Sequence, residues 1–214
     1  MNILYIVIFA ICIAFIAGYK IDKYQKIYYQ NTGEALIKNI VLRKLSNADY
    51  HILNNITIPV DDGTTQIDHI LVSRYGIFVI ETKDYSGWIF GDENNKYWTH
   101  IIFKFKCKFQ NPIRQNYKHL IAIKKLLDFE NSENIHSLIV FTGNSQFKTK
   151  VPSNVISVYN FLKYIKSFSE IVLSENRMQF CIGRIEAKRY QISKQTDIDH
   201  QTFLANKYYR NKRK

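Results

Sequence analysis

The sequence predicts an α/β fold in which a mixed central sheet is flanked by helices. Three observations lead there. Extended apolar runs at "YHILNNITIPV", "QIDHILVS" and "GIFVIETKDY" are separated by the turn signals "DDG" and "SRYG", which is the pattern of a three-stranded meander. A helical stripe, "GEALIKNIVLRKLS", precedes them. A second helical segment, "NPIRQNYKHLIAIKKLLDF", follows and leads into the buried-strand pattern "IHSLIVFT". The 214 residues, 46% of them apolar, suffice for one well-cored domain, and 8 Gly and 3 Pro argue against disorder or low complexity.

Taken in order, the chain begins with "ILYIVIFAICIAFIAGY", Ile3 to Tyr19, which is uncharged and would extend roughly 25 Å as a helix. The expectation is a single-pass membrane anchor over residues 1–19 and a juxtamembrane linker over 20–32. No Lys or Arg precedes this stretch, whereas Lys20, Lys23 and Lys26 follow it, so the domain is expected on the cytoplasmic side. Phe15 stands where a cleavage site would need a small residue, which favours an uncleaved anchor over the alternative, secretion after signal cleavage.

The first domain helix is expected to open at Gly33, with Leu36, Ile37, Ile40, Val41 and Leu45 as its apolar stripe. Glu34 lies three and seven residues before Ile37 and Val41 and therefore shares their inward side; an acid in a first helical turn also complements the helix dipole without any further role. After the meander, "GWIFGDENNKYWTHIIFKF" reads as two short strands around "DENN", with Trp88 and Trp98 as packing residues. Asn111 is the expected cap of the second helix, Pro112 its first residue and Leu127 its end. "NVISVY" reads as a strand and "NFLKYIKSF" as a helix, so the globular domain is placed over residues 33–170 and a mainly helical, basic extension over 171–214.

Thirty Lys and Arg against 18 Asp and Glu leave a net charge of +12, densest in "NKYYRNKRK". Such a surface attracts polyanions, either nucleic acid or an anionic leaflet, and charge alone does not choose between them. Cys12, Cys107 and Cys181 form no CxxC pair, and with six His they show no zinc spacing, so a disulfide framework or structural zinc site is not expected. Gly-rich phosphate loops and local Ser-His-Asp arrangements are absent from the sequence.

The unusual feature is two acids within the apolar strands. If "SRYG" is a two-residue turn on Arg74 and Tyr75, Ser73 faces Gly76 and Asp68 falls opposite Glu81, with Lys83 on the same face. Opposed, buried like charges are unfavourable unless a divalent cation takes oxygens from both. A three-residue loop with a bulge at Gly76 would instead send the acids to opposite faces, so the hairpin alone permits the site without requiring it. His69, beside Asp68, points to the other face and reads as a core histidine. The plain alternative is a structural ion-pair set made by Asp68, Glu81, Lys83 and a nearby Arg.

The run "TTQIDHILVSRYGIFVIETKDYSGWIFG", with "TGEALI" before it and "FQNPIRQNYKHL" after it, resembles the nuclease-related domain family, NERD, a branch of the PD-(D/E)xK nuclease superfamily, over roughly Gly33 to Leu127. "HSLIVFTG" continues the resemblance, which implies a PD-(D/E)xK nuclease-like core. It also implies Asp68 and Glu81 as metal ligands and Lys83 as the catalytic lysine. Glu34 matches the acid of the family's opening helix, a third candidate ligand, and Gln115 matches the glutamine of the "QNPxxQ" region, a candidate for positioning substrate or water. The implied cofactor is Mg²⁺ or Mn²⁺ with no small-molecule cofactor, and the implied activity is hydrolysis of DNA phosphodiesters. A cation would polarise the phosphoryl oxygen and acidify a bound water, and burial could lower the pKa of Lys83. The expected protein is thus a membrane-anchored, metal-dependent nuclease acting on DNA; the alternative is a non-catalytic nucleic-acid-binding or membrane-associated scaffold with the same fold.

Overall fold

In the computed structural model, residues 32–128 and 132–212 are described. The expected anchor, residues 1–19, and all but the last residue of the expected linker, 20–32, lie outside them, and among the described residues no helix is long and apolar enough to cross a membrane. Helix α1, residues 32–44, buries Ile37 and Val41 at the spacing its sequence stripe sets, with Leu45 just beyond.

The meander forms as its turns dictate. Strands β1 (Tyr50–Val60), β2 (Gly63–Ser73) and β3 (Gly76–Lys83) pair antiparallel, with Ser73 facing Gly76 across the turn. Gly76 has φ 137, a conformation that glycine adopts without the Cβ clash. Beyond β3 the chain makes β4 (Gly87–Phe90), β5 (Tyr97–Ile102) and β6 (Phe105–Gln110), then α2 (Pro112–Leu127) and β7 (Ile135–Phe141). Strand β7 lies parallel to β3, and the intervening helix is what a parallel pair requires. Short β8 (Ser145–Phe147) and β9 (Val155–Ser157) follow, then α3 (Phe161–Lys166), α4 (Glu175–Lys188) and α5 (Lys194–Lys212).

The central sheet runs β1-β2-β3-β7-β9, and a second, four-stranded sheet runs β6-β5-β4-β8. The sequence reading gave one central sheet and two strands around "DENN"; the third strand and the parallel return of β8 beside β4 come from tertiary pairing. "NVISVY" yields three strand residues and then a 3₁₀ turn, Val158–Asn160.

Alternation on β3 assigns the two faces. Ile77 and Val79 pack with Ile70, Val72, Leu120 and Ile123 of α2, and with Met178, Cys181 and Ile185 of α4. Phe78 and Ile80 pack with α1 and with Phe161 and Ile165 of α3. Glu81 and Lys83 continue the α2-facing series, so the acid and the lysine are aimed at α2 by the strand period alone.

Helix α2 is held to the sheet at a fixed depth. Asn111 caps it by accepting from the Ile113 N–H at 2.9 Å, and its Nδ2 donates to the carbonyls of Asp92, Glu93 and Asn95, clasping the "DENN" loop. One turn on, the fully buried Asn116 donates from Nδ2 to Val79 O and Ser137 Oγ, both at 2.8 Å. Trp98 is buried and stacks on Phe141 as expected, whereas Trp88 is 48% exposed with Lys148 Nζ 4.8 Å above its ring, so it is not the packing residue its hydrophobicity suggests. Cys107 and Cys181 are free, the first exposed and the second buried.

Candidate functional site

Asp68 sits where the sheet splits. The β2–β3 ladder ends at His69 and Ile80, one pair short of Asp68 and Glu81. On the other side, Asn54 pairs with His69 and Ile56 with Ile67, but Asn55 and Asp68 do not pair, and Asn55 has a left-handed φ of 50. Across this point the pleat inverts on both strands: Leu53 and Ile70 share their core cluster with Ile56, Ile58 and Ile67 rather than with residues two positions on. The far end of the β1–β2 hairpin therefore bends away from β3. Thr82 N, which would have continued the ladder, instead donates to Asp68 Oδ2 at 2.7 Å. The carboxylate replaces a backbone acceptor and is fixed beside Glu81.

Glu81 is 2% exposed, and its Oε1 receives Lys83 Nζ. Lys83 Nζ also donates to Gln115 Oε1 at 3.2 Å, so the glutamine on the first turn of α2 joins the group. Glu34 reaches the same place from the opposite face of the sheet. Its helix starts against the ends of β3 and β7, where a Cβ on Gly33 would lie 2.5 Å from Thr142 Oγ1 and 3.1 Å from Asp84 Cβ. Only glycine permits that approach, and it brings the Glu34 carboxyl into electrostatic contact with Glu81 and Asp68. All five residues anticipated from the sequence thus meet: Glu34, Asp68, Glu81, Lys83 and Gln115. His69 is turned away and buried, with Nδ1 2.8 Å from Asn54 Oδ1; burial lowers its pKa to about 4.

Sequence reasoning missed His119. It lies one helical turn beyond Gln115, on the same side of α2, and the i, i+4 spacing was the available signal. Its Nδ1 is 2.7 Å from Thr65 Oγ1 and its Nε2 is 3.4 Å from Glu81 Oε2. The latter contact falls short of hydrogen-bond geometry, so Glu81 Oε2 and His119 Nε2 are both buried without a hydrogen-bond partner among the described residues. Helix α5 rims the site: Asp197 Oδ1 accepts from Gln66 Nε2 at 2.9 Å, and His200 Nδ1 lies 2.8 Å from Thr64 Oγ1.

The charges follow from burial and proximity. Desolvation, reinforced by Glu81 and Glu34, raises the pKa of Asp68 well above the usual carboxyl value. Desolvation and then Glu81 push Glu34 up to about 7. Burial also works against ionisation of Glu81, but Lys83 and His119 outweigh it and its pKa is lowered. For Lys83 the sequence suggested a burial-lowered pKa. Burial does oppose the ammonium, yet Glu81 and Asp68 win and the pKa is raised. The two acids thus favour the ammonium form of Lys83, which is suited to donating hydrogen bonds.

The donor set fits a hard divalent cation in type: carboxylates from three elements, two of them kept from ionising freely, and one buried carboxylate oxygen with nothing bonded to it. With Glu81 Oε1 on Lys83 and Asp68 Oδ2 on Thr82, no group of three His, Cys, Asp or Glu is arranged as a ready cage among the described residues.

The chain is 35% identical over 181 residues to an uncharacterized protein of Bacillus anthracis, covering 82% of this chain and 84% of the relative. No solved structure matches. Residues 30–142 match the nuclease-related domain, a span that contains Glu34, Asp68, Glu81, Lys83, Gln115 and His119. The chain therefore belongs to the nuclease-related domain family, NERD, within the PD-(D/E)xK superfamily.

Proposed function

We propose that this chain hydrolyses DNA phosphodiesters with the help of Mg²⁺ or Mn²⁺, and that the apolar segment at residues 3–19 holds it to the cytoplasmic face of a membrane. The observation that carries the catalytic reading is the convergence of Asp68, Glu81 and Lys83 at the split between β2 and β3, with Glu34 and Gln115 closing in from two helices. Asp68, Glu81 and Glu34 would hold the cation, which when bound supplies Lewis acidity and an acidified water. The protein's own residues do the rest. Lys83, kept cationic by the two acids, donates toward the attacked phosphoryl group and offsets its growing negative charge. Gln115, already paired with Lys83, holds the lysine between substrate and Glu81 and offers its amide to water or phosphate. His119 steadies the second oxygen of Glu81.

A second reading rests on the Lys83–Glu81 pair itself, which satisfies both charges internally and suits a non-catalytic scaffold that keeps the fold. Plasmid nicking by the full-length protein in Mg²⁺ or Mn²⁺, set beside its Lys83→Ala form, separates the two. Cleavage that requires the cation and disappears in Lys83→Ala supports hydrolysis; parental rates in Lys83→Ala under single-turnover conditions remove the role given to this lysine. Membrane attachment is checked by carbonate extraction and by a reporter fused after Lys214, which should be active in the cytoplasm.

A further inference from the structure

The β5–β6 hairpin projects a surface that the proposed chemistry does not use. All six residues from Phe103 to Lys108 are exposed, Phe103 at 92% and Phe105 at 77%. Its two-residue turn, Phe103 and Lys104 between the paired Ile102 and Phe105, carries Phe103 at φ 51. A positive φ at the first turn position favours glycine, and a bulky aromatic there costs stability while gaining no packing. Between Lys96 and Gln110 the chain has four lysines and no acid. Lys104, Lys106 and Lys108 take part in none of the ion pairs of the described residues.

The base of this hairpin is joined to the candidate site. Tyr85, two residues beyond Lys83, stacks on His100 of β5 with ring centroids 4.9 Å apart, and it meets Phe109 of β6 at 4.8 Å. His100 pairs with Cys107, and the tip lies two residues further along each strand, about 7 Å at ~3.3 Å per residue. On β6, Phe105 shares a face with Cys107 and Phe109, while Lys106 and Lys108 point the other way, beside Ile101 and Thr99. The tip thus offers ring faces, with ammonium groups on the turn and on the opposite side of β6.

We propose that the β5–β6 hairpin is an arm that grips single-stranded nucleic acid beside the site, Phe103 and Phe105 stacking on bases and Lys104, Lys106 and Lys108 meeting the adjoining phosphates. Where the scissile bond lies rests on the nuclease reading; the binding itself does not. Ring faces stack on any base and lysines meet any phosphate, so the grip tolerates sequence, and bases already unstacked from a partner strand are the ones these rings can reach. Phenylalanine and lysine together also suit an anionic lipid surface. The stack from Lys83's strand through Tyr85 to His100 favours nucleic acid, because it ties the arm to the mouth of the site.

The test measures binding of the full-length protein in EDTA to a fluorescent oligothymidylate, to a duplex of equal length, and to vesicles of phosphatidylcholine with phosphatidylserine. Phe103→Gly with Phe105→Thr relieves the turn and keeps a strand-forming residue, so melting should be unchanged. It should weaken oligothymidylate binding at least about tenfold and change duplex binding much less. Replacing Lys104, Lys106 and Lys108 by Gln should reduce the slope of log affinity against log salt by about 2, at roughly 0.7 per single-strand phosphate contact. Parental oligothymidylate binding by both variants overturns the proposal. So does a loss confined to vesicles, which would assign the arm to lipid. Cleavage is scored separately, with Lys83→Ala beside the parent in Mg²⁺ or Mn²⁺, so a failure of the nuclease reading shows in cleavage by that variant and a failure of the arm shows in oligothymidylate binding by the hairpin variants.

Discussion

Asp68 Oδ2 accepts the Thr82 N–H at 2.7 Å, so a side chain on β2 occupies the place of the next backbone acceptor in the β2–β3 ladder. The bond orients Asp68 but leaves it within the field of Glu81 and Glu34, which with desolvation raises its pKa. Asp68→Asn keeps an oxygen for Thr82 and removes one charge. Without divalent cation the variant should melt at or above the parent's temperature. Mg²⁺ or Mn²⁺ should raise the parent's melting temperature, as any ligand of the folded state does, and should raise the variant's far less. Strong destabilisation of the metal-free variant, together with a parent indifferent to cation, would make Asp68 a purely structural residue.

His119 acts on Glu81 without being one of the acids. His119→Ala should raise the Mg²⁺ concentration needed for half-maximal cleavage by about tenfold to a hundredfold, the usual consequence of losing a side chain that orients a ligand. Much of the rate should return at saturating cation. A reduced rate with an unchanged cation dependence would place His119 elsewhere in the mechanism.

Glu34 makes stability depend on pH in a defined direction. Its folded pKa, about 7, exceeds the ordinary 4.5 through desolvation and then Glu81. In that interval the folded chain binds more protons than the unfolded one. The stabilisation from this group is complete below about pH 4.5 and is lost as pH rises to about 7. At 1.36 kcal/mol per pKa unit this is at most about 3 kcal/mol, and partial solvent access reduces it to about 1–2. His69, whose folded pKa is lowered to about 4, slopes oppositely, losing its contribution as pH falls below 6.5. The measurement is therefore the difference between parent and Glu34→Gln urea midpoints in EDTA at pH 5 and pH 8. The parent should lose ground relative to the variant at pH 8; a constant difference would mean that Glu34 is solvated.

Asn116 should be worth more to the fold than its neighbours on α2. Asn116→Ala leaves Val79 O and Ser137 Oγ without their donor in a buried setting, and about 2–3 kcal/mol of stability should go with it. Tyr117→Ala, next along α2 and 59% exposed, should cost less than about 1 kcal/mol. Comparable urea midpoints for the two variants would contradict the anchoring role.

Sequence alone settled the elements whose signals are local. The two-residue turn at Arg74 and Tyr75, one of the two readings the sequence left open, is the one the chain adopts, and with that register the strand period puts Glu81 and Lys83 on one side. The Asn111 cap, Pro112 and the apolar spacing to Leu127 defined α2. Tertiary structure alone decided the rest. The inversion of the pleat at Asn55 and Asp68 has only a weak local signal, an asparagine that tolerates the left-handed φ it adopts, and the apolar alternation on either side does not reveal it until the strands are paired. The spacing of Glu34 assigned it only to an inward side, and its place among the ligands was implied by the family resemblance; the position itself depends on Gly33 lying against Thr142, more than a hundred residues away. The sign of the Lys83 shift was misread for a related reason: burial is foreseeable from an apolar strand, but the two acids that outweigh it act through distances that only the folded chain sets. Residue types and strand period are properties of short segments, whereas a charge's environment is a property of everything packed around it.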